Sequence, residues 1–310
     1  MKIGMFGLGK MGANMALRLM RDGHEVVGWS RSQNTVDEAK EAGVEPATND
    51  LEEAMSMLEP PRVLWLMVPA GYPVDDMIDR LMPLSDENDI IVDGGNSNYK
   101  DTVRRNQELS EKGYHLVDVG TSGGVWGLAE GYSLMIGGAE DAVERLRPLF
   151  ETLAPAPDRG WGRVGPTGSG HFVKMVHNGI EYGMMQAYAE GFALMKRKEE
   201  FDLDLQQIAE TWRFGSVVRS WLLDLIASGL EEEGQDLLGI APWVSDSGEG
   251  RWTVEEAIET ATALPVISLA LMQRFASRDG DQYANRMLSV MRNQFGGHAM
   301  KDAEDDGDGE

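Results

Sequence analysis

Residues 1–32 read MKIGMFGLGKMGANMALRLMRDGHEVVGWSRS, and this stretch decides the fold. An apolar strand over residues 2–6 runs straight into Gly7-Leu8-Gly9-Lys10-Met11-Gly12. The pattern then predicts a helix over 13–22, stopped at Gly23, and a second strand over 25–29. In this strand–turn–helix setting each glycine of G-x-G-x-x-G has a job: Gly7 allows the tight turn, Gly9 lets a pyrophosphate approach the backbone, and Gly12 allows close helix–strand packing. The phosphates of a dinucleotide would rest on the N-terminus of the helix. A glycine-rich turn without a ligand is the plainer alternative.

The end of the second strand selects the cofactor. An acid there would bind the ribose 2′-hydroxyl of NAD, but the sequence has Ser30-Arg31-Ser32. A cation between hydroxyls suits a 2′-phosphate and tilts the expectation towards NADP. NAD stays open, since Arg31 can also stack on adenine.

Further apolar runs follow at helical intervals, over 62–68, 89–95, 114–120 and 133–138, and read as buried parallel strands. Ligands in open α/β sheets lie beyond the carboxyl ends of the strands. That rule marks Val68-Pro69-Ala70, Gly94-Gly95-Asn96-Ser97 and Thr121-Ser122-Gly123-Gly124 as loops of one cleft, with Val68, Pro69, Asn96 and Ser122 as contact candidates. Each loop taken alone reads more simply as a turn. After residues 163–170 (RVGPTGSG) helical stretches dominate, over 171–197, 204–228, 254–279 and 281–294. The expected fold class is therefore α/β, a Rossmann-type doubly wound sheet over 1–165 followed by an all-α domain over 166–299. An acidic, solvated tail over 300–310 closes the chain.

The 310 residues carry a net charge of −24. Such a surface repels nucleic acid and anionic lipid, so neither is an expected partner, and an anionic substrate needs a local basic pocket. The absence of cysteine removes disulfides, cysteine–zinc sites and thiol catalysis together. No run reaches membrane length and no leader pattern precedes the first strand, so a cytoplasmic protein is expected.

Residues 171–183 read HFVKMVHNGIEYG. On a helix Lys174, Asn178 and Glu181 stand at i, i+4 and i+7 with His177 beside them, while the opposite arc is apolar. The apolar run that continues through 184–195 predicts a buried helix. Ionisable groups inside a core are costly unless paired or put to use. A structural Lys174–Glu181 ion pair, with Asn178 capping backbone groups, is one reading. A proton-transfer line is the other.

The motifs GLGKMG, DGGNSNY (93–99), TSGG (121–124), HFVKMVHNGIEYGMMQ (171–186), RWT (251–253) and RNQFGGH (292–298) occur in one order. This order closely resembles the 6-phosphogluconate dehydrogenase family, the decarboxylating branch of the β-hydroxyacid dehydrogenases. The resemblance runs from the first strand to His298, and the chain looks like the shorter form, whose helical domain is not doubled. It implies Lys174 as general base and acid and Glu181 as second acid, without a metal. It implies Asn96, Ser122, Gly123, Gly124, His177 and Asn178 around the sugar acid. Tyr182 and Arg274 would hold the phosphate, with Arg251 where the family usually has lysine; the exchange keeps the cation and adds a planar fork. Arg292 and His298 would enter a neighbouring subunit's site, which implies a homodimer. A β-hydroxyacid dehydrogenase acting on a non-phosphorylated substrate such as 3-hydroxyisobutyrate is the alternative enzyme. A nucleotide-binding sensor without catalysis is the alternative of another class.

Overall fold

The computed structural model describes residues 1–296 and 299–301. Eight strands make one sheet: β1 (Lys2–Phe6), β2 (Glu25–Trp29), β3 (Ala47–Thr48), β4 (Val63–Leu66), β5 (Ile90–Asp93), β6 (His115–Ser122), β7 (Ser133–Gly137) and β8 (Trp161–Gly165). The helices between them are α1 (Lys10–Arg21), α2 (Gln33–Glu41), α3 (Leu51–Ser56), α4 (Tyr72–Leu81), α5 (Tyr99–Ser110), the single-turn α6 (Gly127–Glu130) and α7 (Glu140–Leu153). Beyond the sheet come α8 (Ser169–Lys196), α9 (Leu205–Arg213), α10 (Trp221–Glu233), α11 (Glu249–Glu259), α12 (Pro265–Ala276) and α13 (Tyr283–Gly296). This is an α/β protein with a Rossmann-type sheet followed by helices.

The strand order is β3-β2-β1-β4-β5-β6-β7-β8, and its first six members carry the order of a dinucleotide-binding sheet. Successive residues of one strand serve opposite faces. Val63 and Trp65 of β4 pack with α1, α2 and α7, whereas Leu64 and Leu66 pack with α3, α4 and α5. Two cores result, one on each face, which is what double winding requires.

Several elements depart from the sequence reading. β7 runs antiparallel to β6, not parallel, because only 123–132 connect them, too short a link for a parallel crossover. β3 and β8 add edge strands that had no apolar run to announce them. The helix expected over 204–228 breaks at 214–220, where Gly215 takes φ +76°. The one expected over 254–279 breaks at 260–264, where Ala261 takes φ +53° and Pro265 opens α12.

The chain forms two compact units, one of Met1–Glu181 with Gly248–Ala263, the other of Tyr182–Ser247 with Leu264–Glu310. In the second unit Leu205 and Ala209 of α9 pack on Leu223, Ala227 and Leu230 of α10, with Tyr188 and Phe192 of α8 against them. A mostly apolar cavity of about 550 Å³ lies along the same helices and includes Tyr188, Phe192 and Ile226 in its wall. It holds none of the candidate catalytic residues. The expectation that α8 is buried throughout is corrected here: His171, Lys174, Met175, Gly179 and Tyr182 are buried, but Ile180, Met184, Met185 and Leu194 are exposed. Trp221 and Trp243 are likewise about half exposed, at 49% and 59%.

Candidate active site

The first half of the site is a phosphate cradle. Gly7 takes φ +111°, and a Cβ on it would stand 2.3 Å from the Met67 carbonyl oxygen, so only glycine fits. A Cβ on Gly12 would stand 1.9 Å from the Gly7 oxygen, which is the close helix–strand packing expected of it. Gly9 has nothing within 4 Å of its Cβ position and caps α1 without a side chain. The first-turn N–H groups of Lys10, Met11 and Gly12 have no side-chain cap and suit a diphosphate. Leu8 is buried against Gly28 of β2, so it can serve a ligand only through its backbone. These residues fit a dinucleotide. At the end of β2, Arg31 and Ser32 are exposed, and the Ser32 side chain makes no cap bond to α2.

The cleft loops are tied to one another. A Cβ on Gly95 would meet the Val68 carbonyl oxygen at 2.5 Å, so loop 94–97 lies directly on loop 68–71. Asn96, at φ +53°, accepts a hydrogen bond from the Thr121 N–H at 2.9 Å and donates to the Thr121 oxygen at 3.2 Å. This clamp sets Asn96 beside Ser122. Gly123 and Gly124 follow with φ +138° and +52°, and the Cβ position of Gly124 is open.

Helix α8 is pinned to the sheet by β6. The buried Asp118 carboxylate accepts from the Gly168 N–H at 2.6 Å and from the His171 N–H at 2.8 Å, satisfying donors at the start of the helix. Burial pushes the Asp118 carboxyl up, against the pull of His171 and those two N–H bonds. His171 Nδ1 lies 2.8 Å from the Thr102 hydroxyl of α5, which fixes the same turn from another side. One turn on stands Lys174, only 5% exposed. Its ammonium donates to Asn178 Oδ1 at 2.7 Å and lies 3.5 Å from His177 Nδ1. His177 Nδ1 is 3.0 Å from Asn178 Oδ1 and 4.0 Å from a Glu181 carboxylate oxygen. The structure therefore brings Lys174, His177, Asn178 and Glu181 into one polar cluster. Among the described residues Lys174 bonds Asn178, not Glu181.

Burial lowers the Lys174 pKa, and the negative charges of Glu249 and Glu181 pull it partly back. Glu249 was not anticipated. It is buried in the first turn of α11, which docks on α8 through Thr253, whose hydroxyl bonds the Met175 oxygen at 2.9 Å. Gly179 makes room for that threonine, since a Cβ there would stand 2.7 Å from Thr253 Cγ2. Tyr99 at the head of α5 donates to Glu256 at 2.6 Å and holds α11 from its other side. Arg251 lies exposed in the first turn of the same helix.

In the second unit the Arg274 guanidinium sits 3.7 Å from the centre of the Tyr182 ring and donates to the Ser245 oxygen at 2.7 Å. The Tyr182 hydroxyl accepts from the Ser247 N–H at 2.9 Å. Ser247 is thus a neighbour of this pair that the sequence did not reveal. Arg292 stands exposed on α13, and His298 lies outside the described residues.

A dinucleotide cradle, a cleft at the carboxyl ends of parallel strands and a buried lysine of lowered pKa define a nicotinamide-dependent dehydrogenase of lysine-base type. Comparison with known proteins makes this specific. Residues 2–162 match the NAD binding domain of 6-phosphogluconate dehydrogenase, and residues 170–308 match the 6-phosphogluconate dehydrogenase C-terminal domain. The chain belongs to the 6-phosphogluconate dehydrogenase family. It is 43% identical over 305 residues to the NAD(+)-dependent, decarboxylating 6-phosphogluconate dehydrogenase of Haloferax volcanii, across 98% of this chain and 100% of that one. It is 38% identical to the decarboxylating 6-phosphogluconate dehydrogenase of Staphylococcus aureus, across 92% of this chain but 63% of that longer one. The solved Plasmodium falciparum 6-phosphogluconate dehydrogenase, studied with NADP+ and with 6-phosphogluconate, superposes with a TM-score of 0.83 at 29% identity, across 99% of this chain and 67% of that one.

Proposed function

We propose that this chain oxidatively decarboxylates 6-phospho-D-gluconate to D-ribulose 5-phosphate and CO2 with reduction of NAD(P)+. The observation that carries the reading is Lys174: a buried amine of lowered pKa, held by Asn178 and flanked by carboxylates. When bound, the nicotinamide supplies a hydride acceptor for C3 of the substrate. Lys174, neutral, takes the proton of the C3 hydroxyl as that hydride leaves. The ammonium so formed donates to the new ketone oxygen and draws electrons from the C1–C2 bond as CO2 departs. No metal is needed to polarise that ketone. The enediol left behind gains its proton from Glu181 at the former C2, which becomes C1 of ribulose 5-phosphate, and Lys174 recovers the enol proton.

The remaining assignments follow the family. Asn96, Ser122, Gly123, Gly124, His177 and Asn178 are proposed contacts of the sugar acid, and Tyr182, Arg274 and Arg251 of its phosphate. Support for the phosphate comes from the Arg274–Tyr182 stack, a cation with nearby N–H and hydroxyl donors in a chain otherwise rich in acid. Residues 7–12, Ser30, Arg31, Ser32, Val68, Pro69 and Asn96 are proposed for the dinucleotide, with NADP favoured by the Ser30-Arg31-Ser32 chemistry. Functionally, 1–165 is then the cofactor domain and 166–299 the substrate and dimerisation domain. We also propose a homodimer in which Arg292 and His298 serve the neighbouring site; the exposed Leu194, Phe214, Val217 and Leu238 of the second unit suit burial between copies.

The test is the absorbance of reduced nicotinamide with 6-phosphogluconate, run with NADP and with NAD while CO2 is trapped. Reduced cofactor with equimolar CO2 is the expected result. Turnover of 3-hydroxyisobutyrate but not of 6-phosphogluconate would replace this reading with the non-phosphorylated hydroxyacids.

A further inference from the structure

Arg105 of α5 is only 2% exposed, although its charge is permanent and desolvation is costly. Neither the glycine cradle nor the proton line uses it. Its guanidinium forks onto Asp75 of α4, with Nε 2.8 Å from Oδ1 and Nη2 3.0 Å from Oδ2. The same Nη2 donates to the Gly71 oxygen at 3.0 Å, at the far end of loop 68–71. The third nitrogen, Nη1, lies 3.8 Å from Asp93 Oδ2 and makes no hydrogen bond among the described residues. Asp93 is fully buried at the end of β5, and its two oxygens hold loop 94–97: Oδ2 accepts from the Ser97 hydroxyl at 2.7 Å, and Oδ1 from the Gly95 N–H at 3.1 Å. Asn96 lies between those two anchors, in a left-handed conformation, and clamps Thr121.

We propose that Arg105 is a positioning residue, the buried anchor that holds loop 68–71 against loop 94–97 and so sets where Val68, Pro69 and Asn96 stand for the dinucleotide and substrate. The inference rests on the dehydrogenase reading above, because those loops matter only as a cofactor cleft. The geometry explains the residue type. Hydrogen-bond acceptors on α4 and on loop 68–71 and the Asp93 carboxylate on β5, within ion-pair distance, approach one planar group from different edges, which a guanidinium can serve and an ammonium cannot. A structural ion pair that merely fastens α4 to α5 would need Asp75 alone. The bond to the Gly71 oxygen and the Asp93 relay are what extend its reach to both loops.

The experiment compares Arg105→Lys with the wild type by three readouts. Hydrogen exchange in the cofactor-free protein should show the amides of 68–71 and 94–97 opening about tenfold faster, with the rest of the sheet unchanged. The Kd for the reduced dinucleotide, read by its fluorescence, should rise about tenfold, and KM for 6-phosphogluconate should rise with it as Asn96 shifts. The primary isotope effect with substrate deuterated at C3 should increase, because a displaced nicotinamide slows hydride transfer specifically. If Arg105→Lys does not fold, Asp75→Asn breaks the same fork without removing the cation and is read in the same way. Wild-type exchange in both loops with unchanged Kd would overturn the proposal. So would uniform loss of protection across the sheet with no change in Kd, which is what a purely structural pair predicts. Failure of the wild type to oxidise 6-phosphogluconate would overturn the reaction assignment instead, since exchange and Kd do not depend on turnover.

Discussion

Gly120 of β6 and Lys174 of α8 touch so closely that a Cβ on the glycine would stand 2.4 Å from the lysine's own Cβ and 2.7 Å from the Gly170 oxygen. The strand thus sets the height of the proposed base above the cleft. Gly120→Ala must push α8 away, and overpacking of this kind costs about 1–3 kcal/mol. The larger effect is expected on rate, since a displacement of about 1 Å in a reacting group can cost roughly a hundredfold. The variant should bind dinucleotide normally and lose about two orders of magnitude in kcat. Unchanged kcat would mean that the contact is not what positions Lys174.

Lys174→Met should abolish turnover while the dinucleotide still binds, as measured by fluorescence titration. The same change should not destabilise the protein at neutral pH. The folded-state pKa of Lys174 lies below its unfolded value, so the folded state disfavours the charged form. Stability therefore rises with pH between the lowered pKa and the ordinary lysine range near 10.4, where the unfolded chain binds the extra proton. Methionine removes that pH dependence. Residual hydride transfer in the variant would rule out the lysine as base.

Glu249 raises the Lys174 pKa from α11, so Glu249→Gln should lower it further. The base form of the lysine then persists to lower pH, and the acid limb of the kcat/KM profile should move towards acid. An acid limb that stays in place would show that Glu249 does not govern the lysine's protonation.

Asp75 is held at about 2, below its usual 3.8, chiefly by the hydrogen-bonded Arg105 and further by Arg104. A lowered carboxylate contributes stability that is present above pH 3.8 and lost as pH falls towards about 2. Asp75→Asn should be less stable than wild type at pH 7, and the gap should narrow through that acid window. Parallel unfolding curves across the window would contradict the pairing.

What the sequence disclosed was local. The Gly7, Gly9 and Gly12 cradle and the Lys174–Asn178–Glu181 stripe follow from spacing along one strand–helix unit or one helix, so periodicity reveals them. The direction of β7 is not encoded in its apolar run; it depends on the length of the link from β6. Glu249 approaches Lys174 only because Thr253 docks α11 on Met175 and Gly179, about 75 residues away in the chain. In a chain with 52 acids, one glutamate before RWT carries no signal of its own. Arg105 is hidden for the same reason: RR at 104–105 reads as helix surface until Asp75 and Asp93 are folded against it. The exposure of Trp221 and Leu194 has a different cause, since large apolar residues announce burial but not whether the covering surface belongs to the same chain.

Glu181→Gln separates the steps of the proposed reaction. Glu181 stands 4.0 Å from His177 Nδ1 on the face of α8 that carries Lys174, and the amide keeps its shape but cannot donate an acid proton. Oxidation needs only Lys174, so the burst of reduced nicotinamide should survive while protonation at C1 slows. The enediol should then be protonated more slowly, seen as a slower rate of enzyme-catalysed deuterium exchange at C1 of ribulose 5-phosphate in heavy water. Equal loss of both steps would make Glu181 a partner of Lys174 instead of the second acid.

The selector at the end of β2 gives the last test. Arg31 and Ser32 are exposed, and the chain offers no acid at position 30 to take a ribose 2′-hydroxyl. Ser30→Asp supplies that acceptor and repels a 2′-phosphate across a hydrogen-bond distance. The ratio of kcat/KM for NADP to that for NAD should fall about tenfold or more, about 1.4 kcal/mol of discrimination. Arg31→Ala should move the ratio the same way by removing the cation. The Haloferax volcanii relative is named NAD(+)-dependent, so the wild-type ratio is informative before any substitution is made. If neither variant moves the ratio, Ser30 and Arg31 do not choose the cofactor, and the choice must lie with groups further along the adenine side of the cleft.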